Sequence, residues 1–209
     1  MPAPVKLFLA SSNAAKLGEF RALAAAAHSS SLQIELIPEF DAMPPFDEDA
    51  PTFAENAPTF AENALGKALH YSRLVAGLVF ADDSGLVVPS LGGAPGVQSA
   101  RYAGPQATSP ERIAKLLGEL RGKQDAERHA HFVCTIALAE RGRALALLTD
   151  RVDGRILDGP RGASGFGYDP VFFYEPAGKS FAELSADEKN LYSHRGKTFR
   201  KLLQFMRAT

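Results

Sequence analysis

Two adjacent carboxylates, Asp82 and Asp83, follow the short apolar run 78–81. A hydroxyl and a glycine come next, and apolar residues resume at Leu86, so the pattern predicts a strand, a polar break and a second strand. Two carboxylates at the end of a buried strand repel each other and are costly to desolvate. A Mg²⁺ ion offsets both costs, since it prefers carboxylate oxygens and is often completed by substrate phosphates. The same residues are also typical of an ordinary turn, in which the carboxylates contact only water.

Polar residues near the N-terminus form a second candidate group. The apolar run 5–10 predicts a buried strand, which leads through Ser11, Ser12 and Asn13 into a helical pattern. Such a helix start can bind an anion, because free backbone N–H groups and the positive end of the helix dipole meet there. Lys16, one turn into the helix, can reach the same anion. The alternative is a plain N-cap with a solvated lysine, because Ser and Asn are preferred caps.

Aromatic and basic residues in the second half of the chain complete the set. A glycine-rich loop, 159–168, closes on Phe166-Gly167-Tyr168-Asp169, which places an aromatic ring beside a carboxylate. Lys189, His194 and Arg195 add cations and hydrogen-bond donors. Metal ligands, phosphate-binding cations and an aromatic surface together describe a nucleoside polyphosphate site. Each basic residue taken alone is equally typical of solvated surface.

An exact tandem repeat precedes the carboxylates. The heptad 51–57 recurs without change as 58–64, and both copies carry the Thr-x-x-Glu pattern of a capping box. A helix that began at Thr52 would hold Pro58 in its interior, at a cost of ~3 kcal/mol or more. We therefore predict a helix from Thr59 to about Val75, with the first copy as an inserted loop or a short separate turn.

The composition limits the classes of protein to consider. The chain has 209 residues, of which 45% are hydrophobic and 22% charged, with a net charge of −1. These values are typical of a globular domain and offer no broad basic surface for nucleic acid. No apolar run approaches the ~20 residues that span a bilayer, and no signal peptide is evident. The single cysteine, Cys134, fits a reducing cytosol. No Ser- or Pro-rich linker divides the chain, so we predict one cytoplasmic domain, 1–209, without nucleic-acid or membrane partners.

In combination, these motifs resemble those of the inosine triphosphate pyrophosphatase family, hydrolases of deaminated purine nucleotides. The matches occur in the family's order and cover nearly the whole chain. They comprise Ser12–Lys16, Thr59–Ala64 with Lys67 and Ala68, Ala81–Leu86, Gly92–Gly96, Ser99–Tyr102, Gly165–Pro170 and Ser193–Gly196.

The resemblance implies an α/β fold: an elongated mixed β-sheet flanked by helices, with two lobes and a central substrate cleft, usually in a homodimer. It also implies Mg²⁺-dependent hydrolysis of ITP, dITP and XTP to the monophosphate and pyrophosphate. Asp83 matches the general base and a metal ligand. The positions that match substrate contacts, the base pocket included, are Ser11, Ser12, Asn13, Ala14, Ala15, Lys16, Ser84, Phe166, Gly167, Tyr168, Asp169, Lys189, His194 and Arg195.

The repeated heptad leaves the second metal ligand open. In the family, a metal-binding acid lies just ahead of the Thr-Phe-x-Glu-Asn-Ala helix start. Counting back from the first copy gives Asp47 and Glu48, which we favour, and counting back from the second gives Glu55. Two other functions remain alternatives: a Maf-like pyrophosphatase for other modified nucleotides, and a nucleotide-binding protein that lost its activity with the duplication.

Overall fold

The computed structural model describes residues 5–27, 32–47 and 59–208, apart from the side chain of Ala15. Strands and helices alternate through most of this part of the chain. The strands are β1 Val5–Leu9, β2 Leu32–Leu36, β3 Leu78–Val87, β4 His129–Glu140, β5 Arg143–Ile156, β6 Phe172–Tyr174 and β7 Lys179–Ser180. The α-helices are α1 Ala14–Ala26, α2 Phe60–Tyr71, α3 Ser109–Glu119, α4 Ala186–Tyr192 and α5 His194–Ala208.

The strands form one mixed sheet in the order β2-β1-β3-β4-β5-β6-β7. Strand β1 pairs in parallel with both β2 and β3, whereas β6 pairs antiparallel with β5 and β7. The two-residue turn between β4 and β5, Arg141-Gly142, has positive φ at both residues, as a type I′ hairpin turn requires. The predicted mixed α/β fold is confirmed.

The chain folds into two compact units, each assembled from segments that are far apart in sequence. The first unit contains Met1–Asp83, Cys134–Asp150 and Arg195–Thr209. The second contains Ser84–Val133 and Arg151–His194.

The first unit has an apolar cluster on each face of its part of the sheet. Phe80 of β3 packs with residues of α1 and α5, whereas Val79 and Ala81 pack with residues of α2. This division follows from the strand geometry, because successive side chains point to opposite faces. The next two residues of β3, Asp82 and Asp83, continue the same alternation.

The second unit has a single aromatic-rich core. The ring of Phe172 lies 4.6 Å from that of Phe132 and 4.9 Å from that of Phe181, measured between centroids. Leu86 of β3 and Leu116 of α3 belong to the same cluster. This core supports the loop that joins β5 to β6, which carries the Phe166 motif.

Helix α2 begins where the proline argument placed it. Thr59 is its N-cap, and a capping box is complete: the Thr59 N–H donates to Glu62 at 2.7 Å, and the Glu62 N–H donates to the Thr59 hydroxyl at 3.2 Å. The helix ends at Tyr71, earlier than the predicted end at Val75. The first copy of the heptad lies outside the described residues.

The predicted polar break inside β3 is wrong. The strand runs without interruption from Leu78 to Val87, through both aspartates. Local sequence suggested a turn, but partners from distant helices keep both carboxylates satisfied within the strand, as described below. Within the described chain, no helix is both long and apolar enough to cross a membrane.

Candidate active site

Asp82 and Asp83 point to opposite faces of β3, so they do not form the side-by-side pair that the sequence suggested. Asp82 lies on the face covered by α1 and α5, and Asp83 lies on the face covered by α2. A strand places neighbouring side chains in this way whatever their chemistry. Each carboxylate therefore has its own set of partners.

Asp82 is a buried carboxylate between two cations. Its Oδ1 lies 3.0 Å from Nζ of Lys16, and its Oδ2 lies 3.5 Å from Nη2 of Arg195. Burial alone would raise the pKa of Asp82, but the charges of Lys16, Arg195 and Lys67 together hold that pKa well below its ordinary value. Asp82 is thus ionised and committed to ion pairs.

Asp83 is held from the other side by α2. The side-chain amide of Asn63 donates to Oδ2 of Asp83 at 3.1 Å, and Nζ of Lys67 lies 3.8 Å from Oδ1. Lys67 also donates to the backbone carbonyl of Asp82 at 3.0 Å. Asn63 and Lys67 are four residues apart, so they occupy one face of the helix that Thr59 caps. Neither was assigned to the site from the sequence, although this spacing was a usable signal.

The turn before α1 is built as an N-cap. The Lys16 N–H donates to Oδ1 of Asn13 at 3.3 Å, and the Asn13 N–H donates to the Ser11 hydroxyl at 3.1 Å. Ser12 and Ala14 are exposed. The capping alternative is therefore correct for the backbone. It is wrong for the lysine, because the Lys16 side chain is paired with Asp82 rather than solvated.

Arg195 is buried in the first unit. Its Nη1 donates to Glu19 of α1, its Nη2 lies beside Asp82, and its guanidinium sits 5.9 Å from the Phe20 ring centroid. Burial would lower the pKa of Arg195, but Asp82 and Glu19 raise it above its ordinary value. The guanidinium therefore links α5, α1 and β3.

The second unit brings together Phe166, Asp169 and Lys189. Oδ2 of buried Asp169 accepts from the Phe166 N–H and from Nζ of Lys189, both at 2.8 Å. The same ammonium lies 4.6 Å from the Phe166 ring centroid, and that ring is 41% exposed. Gly165 has a φ of +75°, and a Cβ there would clash with Oδ2 of Asp169. This clash explains why glycine precedes the aromatic residue.

Other predicted site residues of the second unit are more enclosed. Tyr168 is buried, and its hydroxyl donates to the Ser99 carbonyl at 3.0 Å. His194 is buried with its ring stacked on Phe132 at 4.7 Å between centroids. Ser84 is half-buried on β3, and Gly167 is half-buried with a positive φ.

The predicted residues thus fall into two groups. The first unit holds Arg195, Asp83 and the turn 11–16, and the second holds Ser84, His194, Lys189 and the loop 166–169. Asp47 is exposed in the segment ahead of α2. Glu48 and Glu55 lie outside the described residues. Among the residues that the structure describes, no three His, Cys, Asp or Glu side chains gather as a metal site.

Comparisons with known proteins cover nearly the whole chain. The sequence profile of the Ham1 family matches residues 7–205. A dITP/XTP pyrophosphatase of Geobacillus kaustophilus is 46% identical over 197 residues, which is 94% of this chain and 92% of the relative. The Staphylococcus aureus Ham1 protein superimposes with a TM-score of 0.82 at 32% identity, covering 97% of this chain and 98% of that one. A HAM1 protein from Coxiella burnetii gives a TM-score of 0.80 at 38% identity, covering 98% and 100%.

Proposed function

The chain belongs to the Ham1 family, and from that membership we propose that it hydrolyses dITP, ITP and XTP to the nucleoside monophosphate and pyrophosphate. The family resemblance inferred from the sequence is thereby confirmed. Hydrolysis of this kind removes non-standard purine nucleotides from the nucleotide pool. The observation that carries the proposal is Asp83, a carboxylate fixed between an amide and an ammonium group.

Asp83 is the proposed general base. It is 8% exposed, and Asn63 holds one of its oxygens by hydrogen bond. A carboxylate fixed in this way can accept a proton from the water that attacks the α-phosphorus. The bond between the α-phosphorus and its bridging oxygen to the β-phosphate then breaks, and pyrophosphate leaves.

Lys16 and Lys67 are the proposed phosphate-binding cations of the first unit. Their carboxylate partners hold both ammonium groups in place before substrate arrives. Cations fixed in advance bind the substrate phosphates with little ordering cost, and they neutralise the phosphate charge equally before and during the departure of pyrophosphate. The exposed turn at Ser12 and Ala14 adds the start of α1 as an anion-binding element.

Mg²⁺ is the proposed cofactor, and the chemistry of Asp83 fits it. Mg²⁺ is commonly held by one or two carboxylates, with waters and substrate phosphates completing its octahedron. Asp83 provides one such carboxylate, and Asp47 or Glu48, with Glu55 as the alternative, is proposed for the second. When bound, Mg²⁺ supplies phosphate charge neutralisation and Lewis-acid activation.

The second unit is proposed to bind the purine. The exposed Phe166 ring offers a stacking surface, and the Lys189 ammonium, which donates to Asp169, lies over that ring. Hypoxanthine and xanthine carry a carbonyl acceptor at position 6, whereas adenine carries an amino donor. A fixed ammonium donor favours the carbonyl and is left without an acceptor by adenine.

Pyrophosphate release from dITP, XTP and ATP with Mg²⁺ tests the function directly. We expect rapid release from dITP and XTP and little from ATP. Release only from other modified nucleotides would favour a Maf-like pyrophosphatase. Nucleotide binding without pyrophosphate release would favour the other alternative, a nucleotide-binding protein that lost its activity with the duplication. Assembly as a homodimer and a cytoplasmic location also remain proposals, which light scattering and cell fractionation test.

A further inference from the structure

We infer that Glu19, to which the proposed mechanism gives no role, is a positioning residue: it fixes Arg195 and, through Asp82, the ammonium group of Lys16. The inference rests on the proposed function, because it assigns to Lys16 the task of binding substrate phosphate. Glu19 itself touches neither the substrate nor the reacting atoms in this scheme.

The contacts form a continuous row of four side chains whose charges alternate in sign. The Glu19 carboxylate accepts from Nη1 of Arg195, Nη2 of Arg195 faces Oδ2 of Asp82, and Oδ1 of Asp82 faces Nζ of Lys16. The two carboxylates and the two cations of this row together carry no net charge. Each of the two inner groups contacts an oppositely charged group on either side, so movement of one end alters the pairing at the other.

Burial distinguishes the two inner groups of this row from the two groups at its ends. The side chains of Arg195 and Asp82 are 6% and 1% exposed, whereas those of Glu19 and Lys16 are 22% and 20% exposed. The inner pair is therefore desolvated and depends on its partners for its geometry. Of the two cations in this row, Lys16 is the one that is exposed enough for a phosphate to approach.

Aromatic packing next to the ion pairs fixes the position of the helix that carries Glu19. Phe20 follows Glu19 on α1, and its ring lies 5.0 Å from Phe80 and 5.2 Å from Phe199 between centroids. Phe80 precedes Asp82 by two residues on β3, and Phe199 follows Arg195 by four on α5. The three elements that carry the charges are thus locked to one another by three buried rings.

Without the Glu19 charge, Arg195 retains Asp82 as its carboxylate partner among these contacts. The carboxylate of Asp82 is then expected to turn toward Arg195 and away from Lys16. An ammonium released into solvent binds phosphate less well, because it must be ordered when the substrate arrives. The effect should therefore appear in KM more than in kcat, and it should require the Lys16 ammonium.

The test is a double-mutant cycle between Glu19→Gln and Lys16→Met, with steady-state kinetics on dITP. In the wild-type background, Glu19→Gln should raise KM about tenfold, the scale of one weakened charge-assisted interaction, with kcat changed less than about twofold. In the Lys16→Met background the same substitution should change KM less than about twofold, since the group it positions is gone. The inhibition constant of pyrophosphate should follow the same pattern.

Glu35→Gln is the matched control, because it removes a carboxylate paired with exposed Lys6 in the same unit. It should leave KM and kcat unchanged. A KM rise from Glu19→Gln that is equal in both backgrounds, or none at all, would overturn the inference.

If Glu19→Gln fails to fold, as judged by circular dichroism, Glu19→Asp replaces it in the cycle. Glu19→Asp keeps the carboxylate on a side chain that is one methylene shorter. The rise in KM that it causes must likewise vanish in the Lys16→Met background. Failure of the wild-type protein to hydrolyse dITP would instead refute the proposed function.

Discussion

Replacement of Asp82 by asparagine tests the claim that this carboxylate organises cations rather than performing chemistry. The substitution keeps the size of the side chain but leaves Lys16 and Arg195 without the charge between them. The gross attraction at the observed 3.0 and 3.5 Å is ~5 kcal/mol for each pair at an effective dielectric constant of about 20. The cost of burying the carboxylate offsets much of this attraction.

The net loss of stability should be about 3 kcal/mol, at the lower end of the range for breaking a buried ion pair, because Lys16 is partly exposed and can regain water. Urea unfolding at neutral pH measures it. Asp158→Asn is the control, since the Asp158 side chain is 94% exposed in its pair with Arg128, and we expect a change within about 0.5 kcal/mol. A loss below about 1 kcal/mol for Asp82→Asn would refute the buried-ion-pair account.

Acid titration gives the same prediction an independent check. The pKa of Asp82 is held below its ordinary value in the folded protein. Its contribution to stability is therefore complete above the unfolded-state pKa of about 3.9 and is lost as the pH falls through the folded-state pKa. The stability difference between the wild type and Asp82→Asn should narrow below about pH 4. A constant difference down to about pH 2.5 would contradict the assignment.

Three further substitutions separate the proposed roles. Asp83→Asn should leave the unfolding midpoint within a few degrees of the wild type yet abolish pyrophosphate release, and unchanged turnover would remove Asp83 as the general base. Phe166→Leu should raise KM for dITP about tenfold, because the loss of aromatic stacking costs ~1–1.5 kcal/mol of binding free energy. The stability of the fold should change little, because the ring is exposed. Gly165→Ala should destabilise the fold by more than Gly178→Ala in thermal unfolding. Both positions have positive φ, but only the first would clash with Asp169.

Element positions were predictable wherever a local signal was strong. The capping box at Thr59 begins α2 at the position expected from the sequence. Pro58 decided which copy of the heptad starts α2, because a proline inside the helix would remove a hydrogen bond and clash with the preceding turn. These effects act over a few residues, so the sequence contains them in full.

The interior of β3 could not be predicted in the same way. Asp82 to Gly85 has the composition of a turn, yet β3 continues through it as strand. The cations and amide that satisfy the two carboxylates come from positions 16, 63, 67 and 195, on three different helices. Such long-range partners override local propensity, and they cannot be paired from one sequence. The ion pairs of Arg195 with Asp82 and Glu19 were not predicted for this reason, since nothing near Arg195 in the chain indicates either partner.

The alternation of β3 explains how two adjacent aspartates acquire different tasks. Because they face opposite sides of the sheet, Asp82 meets the cations of α1 and α5, while Asp83 meets the amide and ammonium groups of α2. A shift of the strand register by one residue would exchange both sets of partners and would also turn Phe80 out of its aromatic cluster. The apolar residues that precede the pair thus fix which carboxylate is committed to ion pairs and which remains for the proposed proton transfer. Neither aspartate can therefore replace the other, although they share one chemistry and lie side by side in the sequence.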